Sequence, residues 1–161
     1  MCGRAARRSV RPIDVDPGPL PRDPRLVAHR PVTHLAAWLR DGTLTSRRLT
    51  ELFLERIERL DGRLAAVITA TPALALEQAD RADAELAVGT DRGPLHGIPY
   101  GAKDLFDTAG IRTTWGATPF AERVPDADAA VVRRLADAGA VLVAKTTLGA
   151  LAYGDRWFGE I

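Results

Sequence analysis

Asp126-Ala127-Asp128-Ala129-Ala130-Val131-Val132-Arg133-Arg134-Leu135-Ala136-Asp137-Ala138-Gly139-Ala140-Val141-Leu142-Val143-Ala144-Lys145 sets the architecture of this chain. Over 126–138, Val131, Val132, Leu135 and Ala138 recur at helical spacing, which predicts a helix with Asp126 or Asp128 as N-cap and Gly139 at the C′ position. Ala140 to Lys145 then run on as a continuous apolar segment, the pattern of a strand buried on both sides. One glycine joins the two. A helix that returns so abruptly into such a strand implies a sheet covered on both faces, with this strand lying centrally and parallel to a neighbour. The expected fold class is α/β, a mixed or mostly parallel sheet flanked by helices.

Upstream, the same signals repeat. Thr33 to Arg40 reads as a short amphipathic helix capped by Thr33, with Leu35, Trp38 and Leu39 on one face and Asp41-Gly42 closing it. Thr45 caps a second helix to about Leu60, whose stripe is Leu49, Leu52, Phe53, Ile57 and Leu60, and Asp61-Gly62 is its expected stop. Ala65 to Thr69 is short, apolar and β-branched at its centre, a buried strand. Thr71-Pro72 opens an alanine-rich helix that Gly89 ends near Val88.

The 161 residues can bury a real core, with 46% of them apolar. A net charge of +1 gives no electrostatic case for nucleic acid or a membrane surface as partner. A lone Cys2 fits a reducing compartment, no secretory signal follows Met1 to Val10, and cytoplasm is the expected location. Residues 1–25 combine Arg4, Arg7, Arg8 and Arg11 with five prolines and read as a disordered basic tail, with binding to phosphate groups as the functional alternative. The domain proper is expected over 26–161. His29 and His34 stand away from any acid or cysteine cluster, so neither a metal nor a cofactor is expected.

Chemistry concentrates in Gly93-Pro94-Leu95-His96-Gly97-Ile98-Pro99-Tyr100-Gly101-Ala102-Lys103-Asp104-Leu105-Phe106-Asp107. Of the 22 Lys and Arg residues only Lys103 and Lys145 are lysines, and an ammonium, unlike a guanidinium, can give up its proton when desolvated. A P-loop is excluded because Ala102 separates Gly101 from Lys103 and Asp104 stands where a hydroxyl is needed; no dinucleotide fingerprint exists either. Two readings of Lys103 stay open: a buried, partly neutral general base, or a plain salt bridge to Asp104 or Asp107. The following loop, Thr108 to Gly116, reads equally as a substrate wall or as a surface connection with Trp115 plugging the core.

Leu95-His96-Gly97-Ile98-Pro99, Lys103-Asp104, Thr113-Thr114, Asp128 with its helix and Ala144-Lys145-Thr146, in this order and spacing over residues 30–160, resemble the N-terminal part of the amidase signature family. The resemblance implies an incomplete amidase-signature fold. It implies that Lys103 is the base of a Ser-cisSer-Lys triad that cleaves carboxylic amides through an acyl-enzyme, that Lys145 is structural, and that the substrate is a small-molecule amide. Ser9 and Ser46 are the serines of the chain, and neither suits the triad; the glycine-rich serine segment expected to bind the oxyanion is absent, and Gly149-Ala150 stands where many members carry an acid. The expected protein is therefore an amidase fragment ending before its serines, inactive alone and prone to self-association through an unfinished sheet. The alternative is a non-enzymatic scaffold built on a partial amidase fold.

Overall fold

Residues 14–153 are described by a computed structural model of the chain. Asp23 accepts a hydrogen bond from the Arg25 N–H and starts α1 (Pro24–Val27), with proline in its first turn. α2 (Val32–Arg40) follows; its cap position is Pro31, with no side-chain cap, so Thr33 lies inside the helix. α3 (Ser46–Leu64) starts on Thr45, whose side chain accepts from the Arg48 N–H as expected. Asp61-Gly62 does not stop it. The helix continues to Leu64, Ala65 turns left-handed at φ 48°, and the Asp61 carboxylate accepts from the Ala66 and Val67 N–H groups at 2.8 and 3.0 Å.

The stretch expected as a tail falls partly outside the described residues. Its described part is attached to the domain: the Trp38 indole N–H donates to the Gly18 carbonyl at 2.9 Å, and Leu20 packs against the core.

β1 (Val67–Ala70) leads into α4 (Pro72–Ala87), then come β2 (Pro99–Lys103), α5 (Ala130–Asp137) and β3 (Val141–Thr146). The sheet order is β1-β3-β2, with β3 antiparallel to β1 and parallel to β2. The strand after Gly139 is central, and the sheet is mixed. β1 is half-buried at its side of the sheet, whereas β3 is buried from Val141 to Lys145. Neither Asp126 nor Asp128 caps α5, whose N-cap is Ala129; the Asp128 carboxylate instead accepts from the Ala109 N–H at 2.7 Å.

Two apolar clusters share α3. Val27, Leu35, Trp38, Leu39, Leu44, Leu49, Leu52 and Ile98 form one. Ala75, Ala79, Val141, Val143 and Ala144 form the other, with Leu54, Ile57 and Val67 packed against it. Alanines four apart on α4 let that helix approach β3 closely. The approach matters because β1 pairs with β3 only as far as Ala144, which leaves Leu142 beyond the end of β1. There α4 serves the strand: Gln78 accepts from the Leu142 N–H, and the Thr71 hydroxyl donates to the Leu142 carbonyl, both at 2.8 Å.

Candidate active site

The candidate site is the C-terminal end of β2. Ala102 pairs with Lys145 and Lys103 with Thr146, and the ladder goes one step further, the Asp104 N–H donating to the Thr146 carbonyl at 2.9 Å. A tight turn follows, closed by the Phe106 N–H on the Lys103 carbonyl, and the Trp115 N–H reaches back to the Asp104 carbonyl. Gly101 is required here: a Cβ on it would lie 2.9 Å from the Thr146 Cγ2.

Strand alternation sorts the side chains. Ala102 and Asp104 are buried; Gly101 and Lys103 are exposed. The burial expected for Lys103 is thus not found, because its place in the alternation sends it to the open side. Among the described residues its side chain makes no hydrogen bond or ion pair. The salt-bridge alternative is overturned as well, since both carboxylates belong to other cations. Asp104 Oδ1 lies 3.1 Å from Lys145 Nζ, both side chains having no solvent exposure, while its Oδ2 accepts from the Thr114 N–H at 2.8 Å and hydroxyl at 2.7 Å. Lys145 Nζ donates to the Thr113 hydroxyl at 2.6 Å, which donates to the Ile111 carbonyl. Burial pushes the Lys145 ammonium below the usual lysine range even though Asp104 opposes the shift. Asp107 is held by Arg123 in a two-point pair at 2.8 and 2.6 Å, which keeps its carboxyl below the usual range.

Trp115 belongs to neither apolar core cluster, so it does not plug the core. The ring stacks on Phe120, lies 4.1 Å beneath the Arg123 guanidinium and donates from its N–H to Asp107. It is half-buried and lines a groove of about 370 Å³ with Leu105, Phe106, Asp107 and Asp128. Its φ of 54° is left-handed, and Gly116 after it cannot carry a Cβ, which would stand 2.7 Å from the Leu148 carbonyl oxygen. Burial and then the charge of Asp128 push the Tyr100 hydroxyl up to about 12.

Ser46 is buried and spends its hydroxyl on the Gly97 carbonyl at 2.8 Å, before β2 begins and at the opposite end of the strand from Lys103. Ser9, Cys2 and the final residues 154–161 lie outside the described residues. No group of three or more metal-ligating side chains occurs among the described residues, and no helix among them is long and apolar enough to cross a membrane.

Comparison with known proteins bears directly on this strand end. The sequence model of the family described as Amidase matches residues 48–156, from α3 through β2 and β3. The chain belongs to the amidase family. One subunit of the glutamyl-tRNA(Gln) amidotransferase of Alkalilimnicola ehrlichii is 44% identical over 124 residues, which are 77% of this chain and 25% of that protein. The corresponding subunit of Halorhodospira halophila is 43% identical over 134 residues, 81% of this chain and 28% of its own. Among solved structures, the native peptide amidase of Stenotrophomonas maltophilia superposes with a TM-score of 0.72 at 44% identity, over 76% of this chain and 26% of that one. A fatty acid amide hydrolase shares the fold, at a TM-score of 0.74 and 23% identity. This amidase chain therefore spans about a quarter of the length of the relatives it matches.

Sequence reasoning named Lys103 and missed the charge network beneath it. One signal was available: lysine is as rare at position 145 as at position 103, and Lys145 ends an otherwise apolar strand. Arg123 was not legible, since its partner Asp107 lies 16 residues away across a loop whose path no periodicity predicts.

Proposed function

We propose that these residues form the part of a carboxylic-amide hydrolase that supplies the general base, Lys103. The observation that carries this reading is the position of Lys103, exposed at the C-terminal end of a parallel strand with no carboxylate partner among the described residues, inside the segment matched to the amidase family. Lysine acts as a base only when neutral; an ion pair would hold it protonated, and the polypeptide that carries the serines would cover this exposed side chain and supply the desolvation that favours the neutral amine. The two serines of the triad come from polypeptide other than these 161 residues, a division consistent with coverage of about a quarter of the relatives. Neutral Lys103 takes the proton of the bridging serine. That serine in turn deprotonates the nucleophilic serine, whose Oγ attacks the amide carbonyl. The C–N bond breaks as the leaving nitrogen takes the proton back from Lys103 through the bridging serine; a water deprotonated by the same relay then hydrolyses the resulting ester, and the proton returns to the nucleophilic serine. The substrate is a small-molecule carboxylic amide, and the chain alone is inactive.

Two measurements test this. Purified chain offered simple aryl and alkyl amides gives no turnover; turnover that Lys103→Ala abolishes would show that the missing serines are not needed. Residues 30–153 grafted in place of the matching quarter of the Stenotrophomonas peptide amidase restore hydrolysis, and Lys103→Ala in that graft lowers kcat by at least about 100-fold. A graft that keeps its rate without Lys103 refutes the assignment.

A further inference from the structure

The sheet has two outer strands among the described residues, and their open edges differ. Along β1 the ladder shifts register at Ile68, whose carbonyl accepts from the Arg112 guanidinium at 3.5 Å. A bulge and a charged side chain are two devices that keep such an edge from pairing. β2 has no bulge of its own. Tyr100 faces Leu142 and Gly101 faces Ala144, so the extra residue of that ladder is Val143 on β3, and β2 alternates without interruption.

That alternation assigns the backbone groups of β2. The Ile98 carbonyl accepts from the Val141 N–H and the Asp104 N–H donates to the Thr146 carbonyl, both at 2.9 Å, so the even-numbered residues turn their N–H and C=O groups to β3. Pro99, Gly101 and Lys103 turn theirs to the open edge. Pro99 has no N–H, and the Lys103 carbonyl already accepts from the Phe106 N–H at 2.9 Å. The edge therefore offers two acceptors, the Pro99 and Gly101 carbonyls, and two donors, the Gly101 and Lys103 N–H groups. No strand among the described residues covers them.

We infer that a second copy of this chain pairs with this edge, β2 running antiparallel to β2 about a two-fold axis at Gly101. In that register each Gly101 N–H donates to the Gly101 carbonyl of the other copy, and each Lys103 N–H donates to the Pro99 carbonyl opposite. The residue without a donor thus stands against the carbonyl already in use, and both donors and both acceptors of each chain are satisfied. Gly101 is exposed and has no side chain, so nothing separates the strands at the axis. The two Lys103 residues lie on opposite sides of the axis, about 13 Å apart at about 3.3 Å per residue, beyond the Debye length of about 8 Å at physiological salt. The charge on this edge does not oppose the pairing. The inference does not rest on Lys103 acting as a base.

The full chain is followed by NMR from about 0.02 to about 1 mM, the range suited to a contact as small as one short strand pair. The Gly101 and Lys103 amides gain protection from hydrogen exchange together as concentration rises, by at least about tenfold, whereas Tyr100 and Ala102, which face β3, change little. In a mixture of isotope-labelled and unlabelled chains, the Tyr100 Hα shows an intermolecular contact to the Ala102 Hα of the other copy, the close pair that this register creates. Lys103→Pro removes one edge donor without touching the side bonded to β3 and leaves the chain monomeric. A chain that stays monomeric to about 1 mM overturns the proposal. Protection at Gly101 and Lys103 that is independent of concentration also overturns it, because another segment of the same chain then occupies the edge, and so does a dimer without the Tyr100–Ala102 contact. Exchange and contact data on the parent decide even if Lys103→Pro does not fold.

Discussion

Replacing Lys145 by Met removes one half of an ion pair that has no solvent exposure on either side. The Asp104 carboxylate keeps its two bonds from Thr114 but loses the ammonium at 3.1 Å, and the Thr113 hydroxyl loses its 2.6 Å donor. Stranding one member of a buried pair costs about 3–5 kcal/mol, a large part of the roughly 5–15 kcal/mol that a domain has. At this chain length that lowers Tm by roughly 10 °C. Asp104→Asn/Lys145→Met removes both charges, keeps an acceptor for Thr114 and fills the lysine stem with a chain of similar volume, so the double variant loses only about 1 kcal/mol. Urea unfolding at pH 7, followed by circular dichroism, gives the coupling energy as the departure from additivity. Single variants that each cost under about 1 kcal/mol, with an additive double, would contradict this account of the buried pair.

Three other perturbations follow from the same geometry. The Tyr100 hydroxyl, raised by burial from 10 to about 12, contributes stability that is present below pH 10 and lost as pH rises through 12. Tyr100→Phe should remove about 2–3 kcal/mol of alkaline loss across that window, read by denaturant titration at pH 9 and 12. His96 is buried, accepts from the Arg92 N–H at Nδ1 and faces Glu85 with Nε2; burial lowers its pKa below 6.5. Its contribution is complete above pH 6.5 and is lost as pH falls through the folded pKa, so thermal scans from pH 7 downward should show a loss that His96→Gln flattens. Gly139 holds φ at 76°, and a Cβ there would overlap the His96 ring and lie 3.1 Å from the Arg92 Cδ. Gly139→Ala should therefore cost about 2–4 kcal/mol, combining left-handed strain with displacement of a buried ring; an unshifted melting curve would contradict the packing.

The Gly139 turn shows why part of the fold was legible beforehand. Helix, glycine and apolar strand are local patterns, and over 126–145 they specified a central strand with a parallel neighbour. Helix ends were less legible. Asp61-Gly62 has the composition of a stop, yet α3 passes through it because Asp61 caps the chain two residues beyond the helix rather than breaking it. Asp128 has the composition of an N-cap, yet its carboxylate binds Ala109 in a loop 19 residues away. In each case a side-chain acceptor found a backbone donor that only the tertiary path brings near.

Family, α/β class and the residue type at position 103 could all be read from the chain alone, because they rest on the order and spacing of local signals. Which lysine is buried could not. Alternation at the end of β2 turns Asp104 inward and Lys103 outward, and the pairing of Ala102 with Lys145 brings the second lysine, 41 positions after Asp104 in the numbering, to that buried carboxylate. Alternation is a pattern within one strand, but the partner that Asp104 receives is set by the β2–β3 register, a contact between distant segments that neither strand's sequence contains.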